Sequence, residues 1–409
     1  VIAARFIAGL ALALALAIAA WAQGPGGGGP PPTLREAVQA AYARNPQQQE
    51  IQAREAEVRA LSDRAGSLIS DSPALEGGYR TDRVGSDDGY RQWEAGVVLP
   101  LWRPGQRDAA HRLAARANEG VDARRAALML SVAGEVRERM WEAALMKNNL
   151  ELVQQEWETA LALEHDVKRR VELGELAKTD LMLAQDATLT KHRAHLRAQV
   201  DLDNALQRYR AFTGLERLPR RRGETPVALD TLPQDHPRLL EVAARVHRAG
   251  AEAKLLRRAG GGAPELFVGS DNERDDSHGS YNNRLALSLR LPIGTATHTG
   301  PARAATERGR AQAQARYDGL RRDLVLAFDQ VAREVTSAQQ ELDVAQRQNT
   351  IVQENLRLAR VAFDVGETDL VGLLRVQRLA FAALRRVKEL RIMRQRAIAR
   401  FNQAAGRLP

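Results

Sequence analysis

The sequence predicts a mainly α-helical protein with a small β part: two similar halves, each a long helical hairpin joined to a pair of strands. Three observations predict it. LGELAKTDLMLAQ at 173–185 returns as VGETDLVGLLRVQ at 365–377, which sets Gly174, Glu175, Leu181 and Gln185 against Gly366, Glu367, Leu373 and Gln377. Leu99-Pro100 and Gly214 return at the same interval as Leu291-Pro292 and Gly406, so the chain carries an internal duplication. Apolar residues keep a seven-residue repeat over very long stretches, and in two short stretches the period drops to two.

Composition narrows the class before any element is placed. Aromatic residues make up only 4% of the 409 residues, which favours long helices with thin seams over a thick core. With no Cys there are no disulfides, thiolate metal sites or thiol nucleophiles. The net charge of +9 is spread along helices where Arg alternates with Glu and Asp, without the compact basic runs and interleaved aromatics of a nucleic-acid binder.

Residues 1–22 read as an export signal: Arg5, the apolar run 6–20, then Ala20-Trp21-Ala22 before a cleavage at Gln23. Residues 23–32 form a Gly/Pro tether that cannot bury a core. The first repeat spans 33–214. Thr33 caps a helix that pauses at Asn45-Pro46 and resumes to about Ile69. A strand hairpin is expected at 73–101, with Trp93, Ala95, Val97, Leu99 and Leu101 on one face. A helical hairpin follows at 106–213; its first arm runs to Arg170, roughly 100 Å at about 1.5 Å per residue.

A basic, Pro-containing linker at 215–234 leads to the second repeat, 235–406. Its strands are expected at 263–270 and 281–291, separated by a polar loop, DNERDDSHGS, with Leu285, Leu287, Leu289 and Leu291 facing one way and Arg284, Ser288 and Arg290 the other. Strands of this length and alternation suit a transmembrane barrel, but four cannot close one, so a membrane role requires an oligomer. Tyr79, Tyr90, Trp93, Trp102 and Tyr281 cluster at strand ends, where a membrane-interface girdle would place them. The second helical hairpin is expected at 302–405, with Phe328, Val335, Leu342, Leu356 and Phe363 in one seam row.

Each long arm ends at a Gly suited to a left-handed cap, Gly174 or Gly366, and Thr179 with Asp180, or Thr368 with Asp369, can offer oxygens to the returning helix. The tip pattern is an apolar or aromatic residue, a Gly three on, a Leu, then Ala-Gln and Leu: Val171, Gly174, Leu181, Ala184, Gln185 and Leu189. It recurs as Phe363, Gly366, Leu373, Gln377 and Leu379 or Phe381. On these residues the chain resembles the TolC-type outer-membrane efflux channels (outer membrane factors), particularly their heavy-metal-resistance branch. The resemblance implies a homotrimer in which twelve strands close one transmembrane barrel and the helical hairpins form a periplasmic α-barrel tunnel. It implies an outer-membrane exit duct, with heavy-metal cations the cargo its branch suggests, joined to an inner-membrane pump through a periplasmic adaptor.

Under that resemblance, adaptor contact and gating fall on Gly174, Glu175, Asp180, Leu181, Gln185, Gly366, Glu367, Asp369, Leu373 and Gln377. The chain departs from the family pattern at Leu183 and at Arg375-Val376, where relatives often carry an acidic residue, and at Gly372. Asp180, Glu367 and Asp369 are the nearest acids, and as helix caps and solvated tip charges they have an equally good structural explanation. The alternative function is a periplasmic adaptor or other coiled-coil interaction protein. No enzyme, cofactor or metal site is expected: the Gly runs lack a phosphate-loop Lys, and His192 and His195 share a helix face without a third ligand.

Overall fold

A computed structural model describes residues 30–86 and 88–409, so the expected export signal and most of the tether lie outside the described residues. The elements run α1 (Leu34–Ala43), α2 (Gln47–Gly66), β1 (Ala74–Thr81), β2 (Arg91–Pro100), α3 (Gln106–Glu172), α4 (Lys178–Thr213), α5 (Pro237–Ala259), β3 (Glu265–Arg274), β4 (Asn282–Arg290), α6 (Ala296–Asp364) and α7 (Leu370–Ala404). The arms α3 and α6 are 67 and 69 residues long.

Local chemistry sets the ends. Thr33 and Glu36 form a reciprocal capping box, Glu36 N–H donating to Thr33 Oγ1 at 3.2 Å and Thr33 N–H to Glu36 Oε2 at 2.7 Å. His236 caps α5 by accepting from Arg238 N–H at 3.2 Å, just ahead of Pro237 at the first helical position. Burial, reinforced by the Arg238 charge, holds the His236 imidazole below its ordinary value, so it stays neutral and able to accept.

The helices pack side by side in one layer. Near the sheet the order is α2–α3–α5–α6; toward the hairpin tips it is α4–α3–α7–α6. The expected seams are inside: Phe328, Leu342, Leu356 and Phe363 of α6 are buried, as are Leu373, Ala380, Val387 and Leu390 of α7. The largest cluster joins α1 and α2 to the middle of α3, with Val132, Val136, Met140 and Trp141 against Leu34, Val38 and Tyr209. The linker lies over a separate cluster, setting Val227, Leu229 and Leu232 on Phe328 and Phe401.

The four strands make one antiparallel sheet in the order β1-β2-β3-β4. β3 continues to Arg274, where sequence reasoning expected a loop from Asp271. The polar residues stay in the ladder because partners stand beside them: Asp271 has Arg284 on one side, which offsets Glu94 on the other, and Glu273 lies between Gln92 and Asn282. Gln92 donates to Asp271 Oδ1 at 2.7 Å and Arg284 pairs with Glu273, so these side chains are satisfied within the strand. α6 likewise begins earlier than expected, at Ala296, and carries Pro301 inside its first turns. α7 begins at Leu370, one turn before the expected Leu373.

Candidate functional site: the hairpin tips, the sheet faces and the open edges

Both tips are built the same way. At the first, Gly174 (φ 80°) closes α3: Gly174 N–H donates to Val171 O at 3.1 Å and Glu175 N–H to Arg170 O at 2.8 Å. At the second, Gly366 (φ 80°) N–H donates to Phe363 O at 3.1 Å and Glu367 N–H to Ala362 O at 2.8 Å. This paired bonding is the Schellman closure, and its left-handed residue is cheap only as Gly. A Cβ at either Gly would meet open space, so neither is held by packing.

Both expected aspartates accept at the starts of the returning helices, but in different ways. Asp369 caps α7, accepting from Gly372 N–H at 2.8 Å. The first tip instead has Ala177 at the cap position, with no oxygen to offer, and Asp180 reaches back to accept from Ala177 N–H at 3.2 Å. Thr179 sits in the first turn of α4 and Thr368 just ahead of the Asp369 cap.

The structure brings the two tips together. Val167, Ala184, Phe363, Leu370 and Leu373 share one apolar cluster, with Leu181 packed beside it. Arg170 pairs with Asp364 across the hairpins at 3.0 Å and lies 5.1 Å over the Phe363 ring. Glu175, Glu367 and Asp369 are exposed. The duplicated glutamines part company: Gln377 is buried and Gln185 exposed, because α7 packs extensively against both α6 and α3 whereas α4 packs extensively against α3. Arg375 is exposed, which leaves positive charge beside the second tip.

The sheet is a single layer with two unlike faces. Leu75, Tyr79, Trp93, Val97, Leu99, Leu266, Val268, Leu285, Leu287 and Leu289 are matched by register on one face, and several are more than half exposed. The other face carries Arg80, Gln92, Glu94, Asp271, Glu273, Arg284 and Arg290. Among the expected interface aromatics, Tyr79 and Trp93 meet as a tilted pair, ring centres 4.3 Å apart, on the apolar face, and Tyr281 is exposed beneath Arg274 at 5.3 Å. Tyr90 and Trp102 are half-buried and hydrogen-bonded, Tyr90 OH to Gln92 Oε1 at 2.9 Å and Trp102 Nε1 to the Ser67 carbonyl at 3.0 Å.

Further apolar rows lie open at the ends of the helical layer. On α4 they are Met182, Leu189 and Leu196; on α6 they are Val344, Ile351 and Leu358, followed by Val365 at its cap, all at steps of seven and all at least half exposed. Two buried charges went unnoticed in the sequence. Glu156 of α3 accepts from Lys191 of α4 and Arg385 of α7, both at 2.6 Å, tying the two hairpins together. Arg137 binds Glu224 of the linker at 2.7 and 2.8 Å and Gln403 at 2.6 Å. Each is a lone charge inside a buried stripe of α3, between Leu152 and Ala160 or between Ala133 and Met140, and that interruption was a usable signal. Trp157 stacks on His192 at 4.5 Å and on His195 at 5.1 Å, and no group of three metal ligands occurs among the described residues.

The chain thus combines paired long helical hairpins with a single-layer amphipathic sheet. Residues 228–407 match the family described as Outer membrane efflux protein. The fold is similar to that of the outer membrane protein VceC from Vibrio cholerae, with a TM-score of 0.71 at 15% identity over 91% of this chain and 96% of that one. It is similar to the outer membrane channel CmeC from Campylobacter jejuni, with a TM-score of 0.67 at 14% identity over 91% and 85% of the two chains. It is also similar to the open state of the MtrE outer membrane channel from Neisseria gonorrhoeae, with a TM-score of 0.68 at 15% identity over 92% and 89%. No curated protein matches the sequence.

Proposed function

We propose that the chain is the outer-membrane exit duct of a tripartite efflux pump, a homotrimer whose twelve strands close one barrel above a helical tunnel. The observation that carries it is the agreement between the open edges. The sheet ends in unpaired edges at β1 and β4, and the helical layer ends at α6 on one side and at α2 and α4 on the other. Rotation about one axis sets β4 of one copy beside β1 of the next and α6 beside α4, where the two exposed heptad rows rise from the same tip level. The apolar sheet face then meets lipid with Tyr79 and Trp93 toward its rim, and the polar face lines the bore.

In this reading the 1–22 signal directs export and the two repeats supply equivalent hairpins. The chain does no chemistry: it offers a wet path, and its tips meet a periplasmic adaptor coupled to the inner-membrane pump. Heavy-metal cations as cargo follow from the family resemblance and would be handed over by the pump.

The natural absence of Cys makes the assembly directly testable. Leu189→Cys combined with Leu358→Cys, treated in isolated outer membranes with a short bis-maleimide, gives dimer and trimer bands, while each single variant stays monomeric on denaturing gels. A soluble periplasmic monomer with no crosslink would sink the duct. At the tip, Gly366→Trp abolishes efflux of both metal and drug substrates while the crosslinked trimer still forms, since the side chain meets no neighbour and the strain of its left-handed backbone stays local to the cap. Gly366→Asn, which tolerates the left-handed conformation, keeps efflux. Wild-type efflux from the Trp variant would remove the adaptor contact from this tip.

A further inference from the structure

We infer that each protomer carries a cleft for the phosphate of an anionic phospholipid, just below the sheet on the outer surface; the inference rests on the duct reading and locates its contact with the inner leaflet. A cleft of about 500 Å³ opens between the sheet-proximal parts of α3, α5 and α6. Arg112, Arg116, Lys254, Arg257 and Arg310 line it together with one carboxylate, Glu119. Glu119 is engaged by Arg116 at 2.7 Å, and Glu307 by Arg257 at 2.8 Å and Arg310 at 3.5 Å. Arg112 and Lys254 meet no carboxylate among the described residues and are both exposed. The cleft therefore presents uncompensated positive charge around a hollow of headgroup size.

Its position selects the ligand. Gly105, at the start of α3, lies against Arg258 at the end of α5, so those two helix ends are level, directly under the sheet. Arg257 is in the last turn of α5, Lys254 about one turn lower, and Arg112 six residues into α3, or about 9 Å along its axis at 1.5 Å per residue. Headgroups occupy roughly 5–8 Å beyond each side of the hydrocarbon core, and long basic side chains reach up to them.

The cleft also lies on the outside. Leu240, Ala243, His247, Gly250, Lys254 and Arg257 follow steps of three and four, so they share one stripe of α5. On that stripe, around Leu240 and Ala243, sits the linker segment 231–234, which also rests against Tyr317 of α6, seven residues after Arg310. A strap from every protomer on this face would block a bore, so the face is external. The opposite side of the α3/α5 pair holds an apolar hollow formed by Leu61, Trp102, Leu113 and Leu255. Basic pockets at this depth are charge-complementary to anionic headgroups, and the adjoining apolar band of the sheet favours lipid over a soluble partner.

The test uses the full-length trimer in a zwitterionic detergent, titrated with short-chain phosphatidylglycerol, phosphatidylcholine, inorganic phosphate or polyglutamate, with thermal unfolding as readout. Phosphatidylglycerol raises the midpoint saturably, and the other three do not. Arg112→Gln with Lys254→Gln weakens that response more than tenfold while conductance and trimer content stay at wild type; Arg112→Glu with Lys254→Glu abolishes it. An undiminished response in the Gln pair overturns the site. An equal response to inorganic phosphate or to polyglutamate overturns the lipid assignment. If the protein is recovered outside the outer membrane the duct reading fails; if it is a functioning trimer without the lipid response, only the cleft fails.

Discussion

Arg137→Ala lowers the stability of the protomer by about 3–5 kcal/mol, the range for removing one partner of a buried ion pair. Arg137 is 2% exposed, and its guanidinium makes two bonds to Glu224, one to Gln403 and one to the Arg407 carbonyl. Truncation leaves the Glu224 carboxylate, itself only 11% exposed, without its guanidinium and with the neutral Asn402 amide still donating to it. The loss reaches beyond one pair because the same residues pin the linker: Asn402 donates to the Thr225 carbonyl at 2.9 Å and accepts from Val227 N–H at 3.0 Å. The linker therefore loosens before the hairpins do. Trypsin should cut faster around Arg220–Arg222 in the variant, and the denaturation midpoint should drop. Arg137→Lys recovers only part of the loss, since an ammonium cannot reproduce the forked geometry. Arg137→Met together with Glu224→Leu recovers more, because no charge is left stranded. A variant within about 1 kcal/mol of wild type would show that the linker is held by its apolar cluster alone.

How much of this was legible in the sequence depended on whether a residue's role was periodic. The seams were legible because Phe328, Leu342 and Phe363 repeat every seven residues, and the strands because Leu285, Leu287 and Leu289 alternate. The tips were legible from Gly174 and Gly366, where one backbone conformation demands one residue type. The polar end of β3 was not, since Asp271 and Glu273 look like loop residues until Gln92 and Arg284 stand beside them. At Arg137 and Glu156 the interrupted stripe marks the position, but not the partners, which are 87 and 229 residues away in Glu224 and Arg385. The same holds for the different fates of Gln185 and Gln377: duplication makes the local patterns equal, but only the order of helices in the layer decides which copy has a neighbour.

Gly96→Ala impairs folding of the sheet, an effect of about 1–3 kcal/mol per protomer on the scale of overpacking, and a trimer would meet it three times. Gly96 and Gly269 are register partners on the polar face, and Phe267 lies on that same face of β3. The ring is only 6% exposed in a sheet with no second layer, because it lies flat across the two bare glycines. A Cβ on Gly96 would sit 2.6 Å from two Phe267 ring carbons and 2.6 Å from the Gly269 Cα. The first clash can be relieved by moving the ring, which in the proposed duct swings it into the bore; the second requires the β2–β3 backbones to separate. The two components can be told apart by pairing variants. Phe267→Ala alone keeps the sheet paired and raises single-channel conductance in planar bilayers. Gly96→Ala lowers the fraction migrating as folded barrel in unheated denaturing gels, and the double variant restores part of that fraction but not all, because the backbone clash remains. Full restoration would mean that the ring is the whole obstacle, and wild-type folding of Gly96→Ala would mean that the strands are not packed this closely.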